Sequence, residues 1–168
     1  MIRQARAADI DAVMQIIEAT IIEMHAYGNR QWDKDYPQRD DFLGDIQEGS
    51  LYVYEKNGDI GGFVTLNTIE PDEYQGLNWS SEATSLVVHR MAVAPHYRRQ
   101  GIGGSLLDFA AAFARQHGLT WLKTDTYSLN PKMNALFTQN GYRKIGEMSF
   151  NSRELPFYCY EKPVASAD

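Results

Sequence analysis

The stretch 86–116 constrains the fold of this chain more than any other. "LVVHRMAV" (86–93) is a β-favouring run that Pro95 halts. "HYRRQGIGGSLL" (96–107) then packs two arginines and three glycines into the approach to a helix. Ile102, Leu106, Ala110, Phe113 and Ala114 recur at helical spacing, and Gly118 marks the end. A strand that passes through a glycine loop into an amphipathic helix needs a sheet for its edges and a core for its apolar stripe. That places the chain in the α/β (α+β) class.

The remaining segments agree. "IRQARAADIDAVMQIIEATIIEMHAYG" opens with a short strand, then sets Ile10, Val13, Met14, Ile17, Ile21 and Met24 at helical spacing up to Gly28. A second helix is expected from about Asp40 to Glu48, stopped by Gly49. "SLYVYEKNGDIGGFVTLN" reads as a β-hairpin, because Asn57-Gly58 supplies the positive φ angles of a tight turn. Residues 69–81 form a polar loop, and a strand follows from Ala83 to Val93. "TWLKTDTY" is a strand, "PKMNALFTQN" a short helix opening on Pro131, and "GYRKIGEMSF" and "ELPFYCYEKP" two closing strands. This order implies a central mixed sheet with helices on its faces. A length of 168 residues favours one domain over 1–163, followed by a short tail at 164–168.

Free N–H groups at a helix start carry partial positive charge and form an anion site. Glycines there keep a Cβ from holding a phosphate away, and Arg98 and Arg99 add charge-assisted donors. The plain alternative is a solvated basic helix start. Two common nucleotide loops do not fit. A P-loop needs GxxxxGK followed by Ser or Thr, which is absent. A dinucleotide fingerprint needs a third glycine where Leu106 stands, and "APHYRR" separates the strand from the glycines.

The stretch resembles the acyl-CoA loop of the GNAT acyltransferase superfamily, whose pattern is Gln/Arg-x-x-Gly-x-Gly/Ala. Here it reads Arg98-Arg99-Gln100-Gly101-Ile102-Gly103. A second block of that family lies downstream in "LKTDTYSLNPKMNALFTQNGY", with Asn130, Phe137 and Gly141-Tyr142 at the matching positions. The resemblance implies a mixed, mostly antiparallel sheet splayed between the fourth and fifth strands. It also implies acetyl-CoA as cosubstrate, with no metal.

Carried over, Met91, Ala92 and Val93 would face the pantetheine arm, with Met91 and Val93 offering backbone groups. Arg98, Arg99, Gln100, Gly101, Ile102, Gly103, Gly104 and Ser105 would surround the pyrophosphate, and Asn130 and Phe137 would contact the cofactor arm. Lys132 would either meet a nucleotide phosphate or remain solvated. The implied reaction is direct attack of a neutral amine on the thioester in a ternary complex. A primary amine of a small molecule or peptide is mostly protonated at neutral pH, so a base or water wire is needed.

Asp125, at the end of the fifth strand, and His89, on the face of Met91, are the base candidates. Either residue has an ordinary structural reading as well. Many relatives carry a proton-donating tyrosine four residues before the glycine of Gly141-Tyr142, where this chain has Phe137. Tyr127, Tyr142, Tyr158 or water would have to substitute. That departure keeps open a second class of function, an acyl-CoA-binding sensor with little turnover.

For the acceptor, "EMHAYGNRQWDKDYP" and "EPDEYQGLNW" mix aromatics with acids. Trp32, Tyr36, Trp79 and Tyr158, with Asp33, Asp35, Asp72 and Glu73 nearby in sequence, would suit a cationic amine. Alternatively the aromatics pin loops to the core. The formal net charge of −6 argues against a nucleic-acid partner. No charged-then-apolar leader and no apolar run of about 18 residues is present, so a cytoplasmic protein without membrane attachment is expected, as monomer or homodimer. The single cysteine, Cys159, reads as a small buried hydrophobe on a strand.

Overall fold

The computed structural model describes residues 1–166. In chain order the elements are β1 (Ile2–Gln4), α1 (Ile10–Ala26), α2 (Arg39–Glu48), β2 (Leu51–Lys56), β3 (Asp59–Asn67), β4 (Leu86–Val93), α3 (Ile102–Gln116), β5 (Trp121–Tyr127), α4 (Pro131–Gln139), β6 (Arg143–Met148) and β7 (Phe157–Pro163). Short 3-10 turns lie at Ala7–Asp9, Asp72–Tyr74 and Pro95–Tyr97. The strands form a seven-stranded sheet in the order β1-β2-β3-β4-β5-β7-β6. β4 runs parallel to β5, while β1–β2, β2–β3, β5–β7 and β6–β7 are antiparallel. The mixed, mostly antiparallel sheet expected from the sequence is therefore present.

By its internal contacts the chain divides into two compact units. The first comprises Met1–Leu66 and Arg90–Leu106. Its core gathers Val13 and Ile17 of α1, Phe42 of α2, Leu51 and Val53 of β2, and Phe63 of β3. The β2–β3 hairpin turns through Asn57 (φ 54°) and Gly58 (φ 83°), as the Asn-Gly pair requires. A bidentate bond from Arg3 to Asp9, with the Arg6 N–H also donating to Asp9, fixes the corner where β1 gives way to α1. Gly62 permits a close approach: a Cβ there would stand 3.0 Å from the carbonyl oxygen of Ala92 and 3.2 Å from Ile102.

Arg90 on β4 is anchored by its side chain. It donates to the Tyr36 hydroxyl at 3.1 Å and to Asp45, which also accepts from Thr65 at 2.9 Å. Its guanidinium lies 5.4 Å from the ring centre of Phe42.

The second unit comprises Asn67–His89 and the chain from Leu107. Tyr74, Val87, Tyr127, Met148, Phe157 and Cys159 form one of its buried clusters. The β4–β5 register pairs Leu86, Val87 and Val88 with Leu122, Lys123 and Thr124. β5 then pairs along its whole length with β7, from Trp121↔Pro163 to Tyr127↔Phe157.

Two expectations need revision. The fourth strand begins at Leu86 rather than Ala83, because Ser81 and Ala83 close a side-chain turn in which the Ala83 N–H donates to the Ser81 hydroxyl. The 69–81 segment is a loop, yet it carries the 3-10 turn and places Tyr74 at 1% exposure. Of the expected 164–168 tail, Val164 donates to the Thr120 carbonyl at 2.9 Å and Ala165 accepts from Arg115 at 3.0 Å. Residues 167–168 lie outside the described residues.

Candidate active site

In the first unit, the loop before α3 is shaped by two left-handed backbone conformations, Arg99 (φ 62°) and Gly101 (φ 77°). They turn the chain so that the helix starts abruptly at Ile102, with the Ser105 N–H already bonded to the Gly101 carbonyl at 3.0 Å. The N–H groups of Ile102, Gly103 and Gly104 precede that first bond, so they are the donors a helix start leaves open. The first turn of α3 contains no acidic residue to neutralise them. Arg99, Gln100 and Gly101 are exposed; Gly103, Gly104 and Ser105 are half-buried.

Arg98 extends from this loop to an ion pair with Glu23 of α1, and Gln100 accepts from Lys56 at 3.2 Å. Just before the loop, Met91 and Ala92 are buried and Val93 is half-buried. The arrangement can hold an anionic, phosphate-like group by backbone donors reinforced by cations.

The acceptor candidates of this unit are engaged elsewhere. Trp32 is 5% exposed within the core, and its carbonyl meets the His25 ring at 2.9 Å. Burial makes Trp32 an anchor for its loop. Tyr36 is half-buried and bonded to Arg90. A cavity of about 660 Å³ beside α1 is lined by Asp33 but by neither aromatic.

In the second unit, Asp125 is half-buried near the end of β5 and accepts from the Tyr74 hydroxyl at 2.6 Å. Burial pushes its carboxyl up to about 6, with the charge of Glu73 adding to the effect and the Tyr74 hydrogen bond opposing it. The Tyr74 hydroxyl is itself held well above its ordinary range, first by burial and then by Asp125, so it stays a donor. His89 points to a bond between its Nε2 and Asn67 Oδ1.

Asn130 is the N-cap of α4, accepting from the Met133 N–H at 3.2 Å, which gives this buried asparagine a structural task. Phe137 is 2% exposed, with ring centres of Tyr142 and Tyr160 at 5.4 and 5.5 Å. Lys132, next to the cap, is exposed.

Among the tyrosines considered as proton donors, Tyr127 is buried and its oxygen accepts from the Leu155 N–H at 3.2 Å. Tyr142 has a buried hydroxyl without a hydrogen-bond partner. Tyr158 lies under the Lys144 ammonium at 3.5 Å. Trp79 is half-buried, with its indole N–H donating to the Tyr74 carbonyl at 2.9 Å. Cys159 is fully buried, and burial pushes its thiol up to about 12, which suits packing and not nucleophilic attack.

Sequence reasoning did not single out Tyr74. Its only signal was an aromatic residue in a polar, Pro- and Gly-containing loop. Lys123 carries no local sequence signal either; it is 5% exposed at the side chain, ion-paired with Glu70 and 4.6 Å from the ring centre of Trp79. Among the described residues no group of three or more His, Cys, Asp or Glu side chains is placed to hold a metal, and no helix is long and apolar enough to cross a membrane.

These features can be set beside known proteins. Residues 16–142 match the family model described as the acetyltransferase (GNAT) family. The chain is 22% identical over 162 residues to YesJ, an uncharacterised N-acetyltransferase of Bacillus subtilis, covering 94% of this chain and 87% of that protein. In structure it is similar to a GNAT-family acetyltransferase of Streptococcus agalactiae, with a TM-score of 0.86 and 24% identity over 99% of this chain and 96% of the other. It is similar also to yncA of Salmonella typhimurium, a structure described as a putative acetyltransferase with its cofactor acetyl-CoA. That match has a TM-score of 0.70 and 18% identity over 99% of this chain and 95% of the other. With the family model spanning most of its length, its strand-loop-helix block and its mixed sheet, the chain belongs to the GNAT family of acetyltransferases.

Proposed function

We propose that this acetyltransferase moves the acetyl group of acetyl-CoA to a primary amine of a small molecule or peptide, by direct attack within a ternary complex. The observation that carries the amine reading is Asp125, a half-buried carboxylate near the end of β5 that the Tyr74 hydroxyl holds at 2.6 Å and that burial pushes up to about 6, toward the range of a general base. A group so tuned suits removal of the proton that an attacking amine must lose.

The cofactor end of the reading rests on the loop before α3. Its open N–H groups at Ile102, Gly103 and Gly104 would meet the pyrophosphate, with Arg99 adding an exposed cation and Ser105 a hydroxyl. The backbone of Met91 and Val93 would bond the pantetheine arm. Acetyl-CoA supplies the activated acyl group; the chain holds it, admits the amine and receives the amine's proton. Phe137 has no hydroxyl to give, so the CoA sulfur would leave as thiolate or take a proton from water.

The test measures CoA binding by calorimetry and thiol release from acetyl-CoA over a panel of primary amines that includes diamines, amino acids and short peptides. Amine-dependent thiol release, lost in Asp125→Asn, is expected. Tight CoA binding without turnover on any amine would favour the sensor reading, which the absent tyrosine at 137 supports.

A further inference from the structure

The loop between β3 and β4 is fastened to the strand that bears the candidate base, and the fastening converges on one hydroxyl. Tyr74, at 1% exposure, donates from its hydroxyl to Asp125 Oδ2 at 2.6 Å. Tyr74 is in turn held by Trp79, whose indole N–H donates to the Tyr74 carbonyl at 2.9 Å and whose ring lies 4.9 Å from that of Tyr74. Trp79 is covered by the Lys123 ammonium, 4.6 Å from its ring centre, and Lys123 is paired with Glu70 at the start of the loop. At the far end, Ser80 donates through its N–H, at 2.8 Å, and its hydroxyl to the buried Glu161 of β7.

So many anchors on one loop leave Tyr74 little rotameric freedom, and a short bond from a locked phenol fixes the carboxylate it reaches. With Oδ2 taken, Oδ1 is the oxygen left to receive a proton. We propose that Tyr74 is a positioning residue for acetyl transfer, holding Asp125 so that a single carboxylate oxygen faces the acceptor amine. This inference rests on the reading of Asp125 as the base. Chemically the cycle balances: the amine proton passes to Oδ1 as the N–C bond forms, and the C–S bond breaks to give CoA thiolate. Asp125 then returns its proton to solvent or to that thiolate.

The groups that bear on Asp125 are Tyr74 and Glu73 from the loop and Cys159, its register partner on β7. Glu73 raises the proton affinity of Asp125 and the Tyr74 bond lowers it. Removing the hydroxyl therefore has a signed consequence that a merely structural role would lack.

The experiment compares full-length wild type, Tyr74→Phe, Trp79→Phe and Asp125→Asn, each first checked for a cooperative melt. Carboxyl-carbon NMR on protein labelled at aspartate follows the Asp125 titration, identified by its loss in Asp125→Asn. The same proteins are assayed for kcat/KM against pH with the amine that proves most active in the panel. In Tyr74→Phe the Asp125 midpoint should rise by on the order of one pH unit, and the acidic limb of kcat/KM should rise with it. Activity above that limb should fall about tenfold. Trp79→Phe, which keeps the hydroxyl but loosens its support, should move both midpoints the same way by less, and it serves if Tyr74→Phe does not fold.

An acidic limb that stays in place in a folded variant while Asp125→Asn abolishes it overturns the role of Tyr74 alone. Full activity and an intact limb in Asp125→Asn overturn the base reading and this inference together.

Discussion

The guanidinium of Arg98 is held by the carboxylate of Glu23, so one of the two loop arginines is already neutralised within the first unit. Arg99, its neighbour, is exposed and stands in the left-handed region at φ 62°.

The two arginines should therefore respond differently to alanine. Arg99→Ala should weaken CoA binding about tenfold by removing a charge-assisted donor, and the loss should shrink as salt rises. Arg98→Ala should weaken it less and lower stability by at most about 1 kcal/mol, the scale of a partly exposed ion pair. Calorimetry with CoA at two salt concentrations and a thermal melt of each variant check both statements.

Two glycines should show opposite signs on substitution by alanine. Gly62→Ala brings a Cβ to 3.0 Å from the Ala92 carbonyl oxygen, a backbone atom that cannot swing away, and should cost about 1–3 kcal/mol. Gly44, within α2, has nothing within 4 Å of its would-be Cβ. Gly44→Ala should stabilise by about 0.5–1 kcal/mol through helix propensity alone. Urea unfolding of the two variants tests the pair, and equal effects would contradict the packing around Gly62.

Asp125 should make stability fall as pH rises. Its folded pKa, about 6, lies above the ordinary aspartate value of about 3.9, so the folded state binds the extra proton between those values. The penalty is absent below about pH 4, grows through the window and is complete above about pH 6, reaching at most about 3 kcal/mol. Asp125→Asn removes the charge but keeps an oxygen for Tyr74. Its melting temperature should exceed that of wild type at pH 8 and match it near pH 3.5. A constant difference across that range would contradict the burial of the carboxylate.

The order of strands and helices was legible because its punctuation is local: Asn57-Gly58, Gly49, Pro95 and Pro131 act within a few residues of themselves. The glycine loop was legible for the same reason. The environment of Asp125 was not, since its hydrogen-bond partner lies 51 residues away in a loop whose composition reads as solvent-exposed. Trp32 illustrates the converse. An aromatic beside acids has the composition of an amine site, and only packing reveals that its ring is spent on the core.

Arg90 has a consequence for how β4 can behave. The strand runs from Leu86 to Val93, and Arg90 opens the part of it that belongs to the first unit. That part of the strand owes some of its order to a side chain clamped by Tyr36 and Asp45. A strand tethered in this way has its path tied to α2 and to the loop before it. Because both charges are shielded from solvent, added salt should barely loosen this tether, whereas loss of the Asp45 charge should release it.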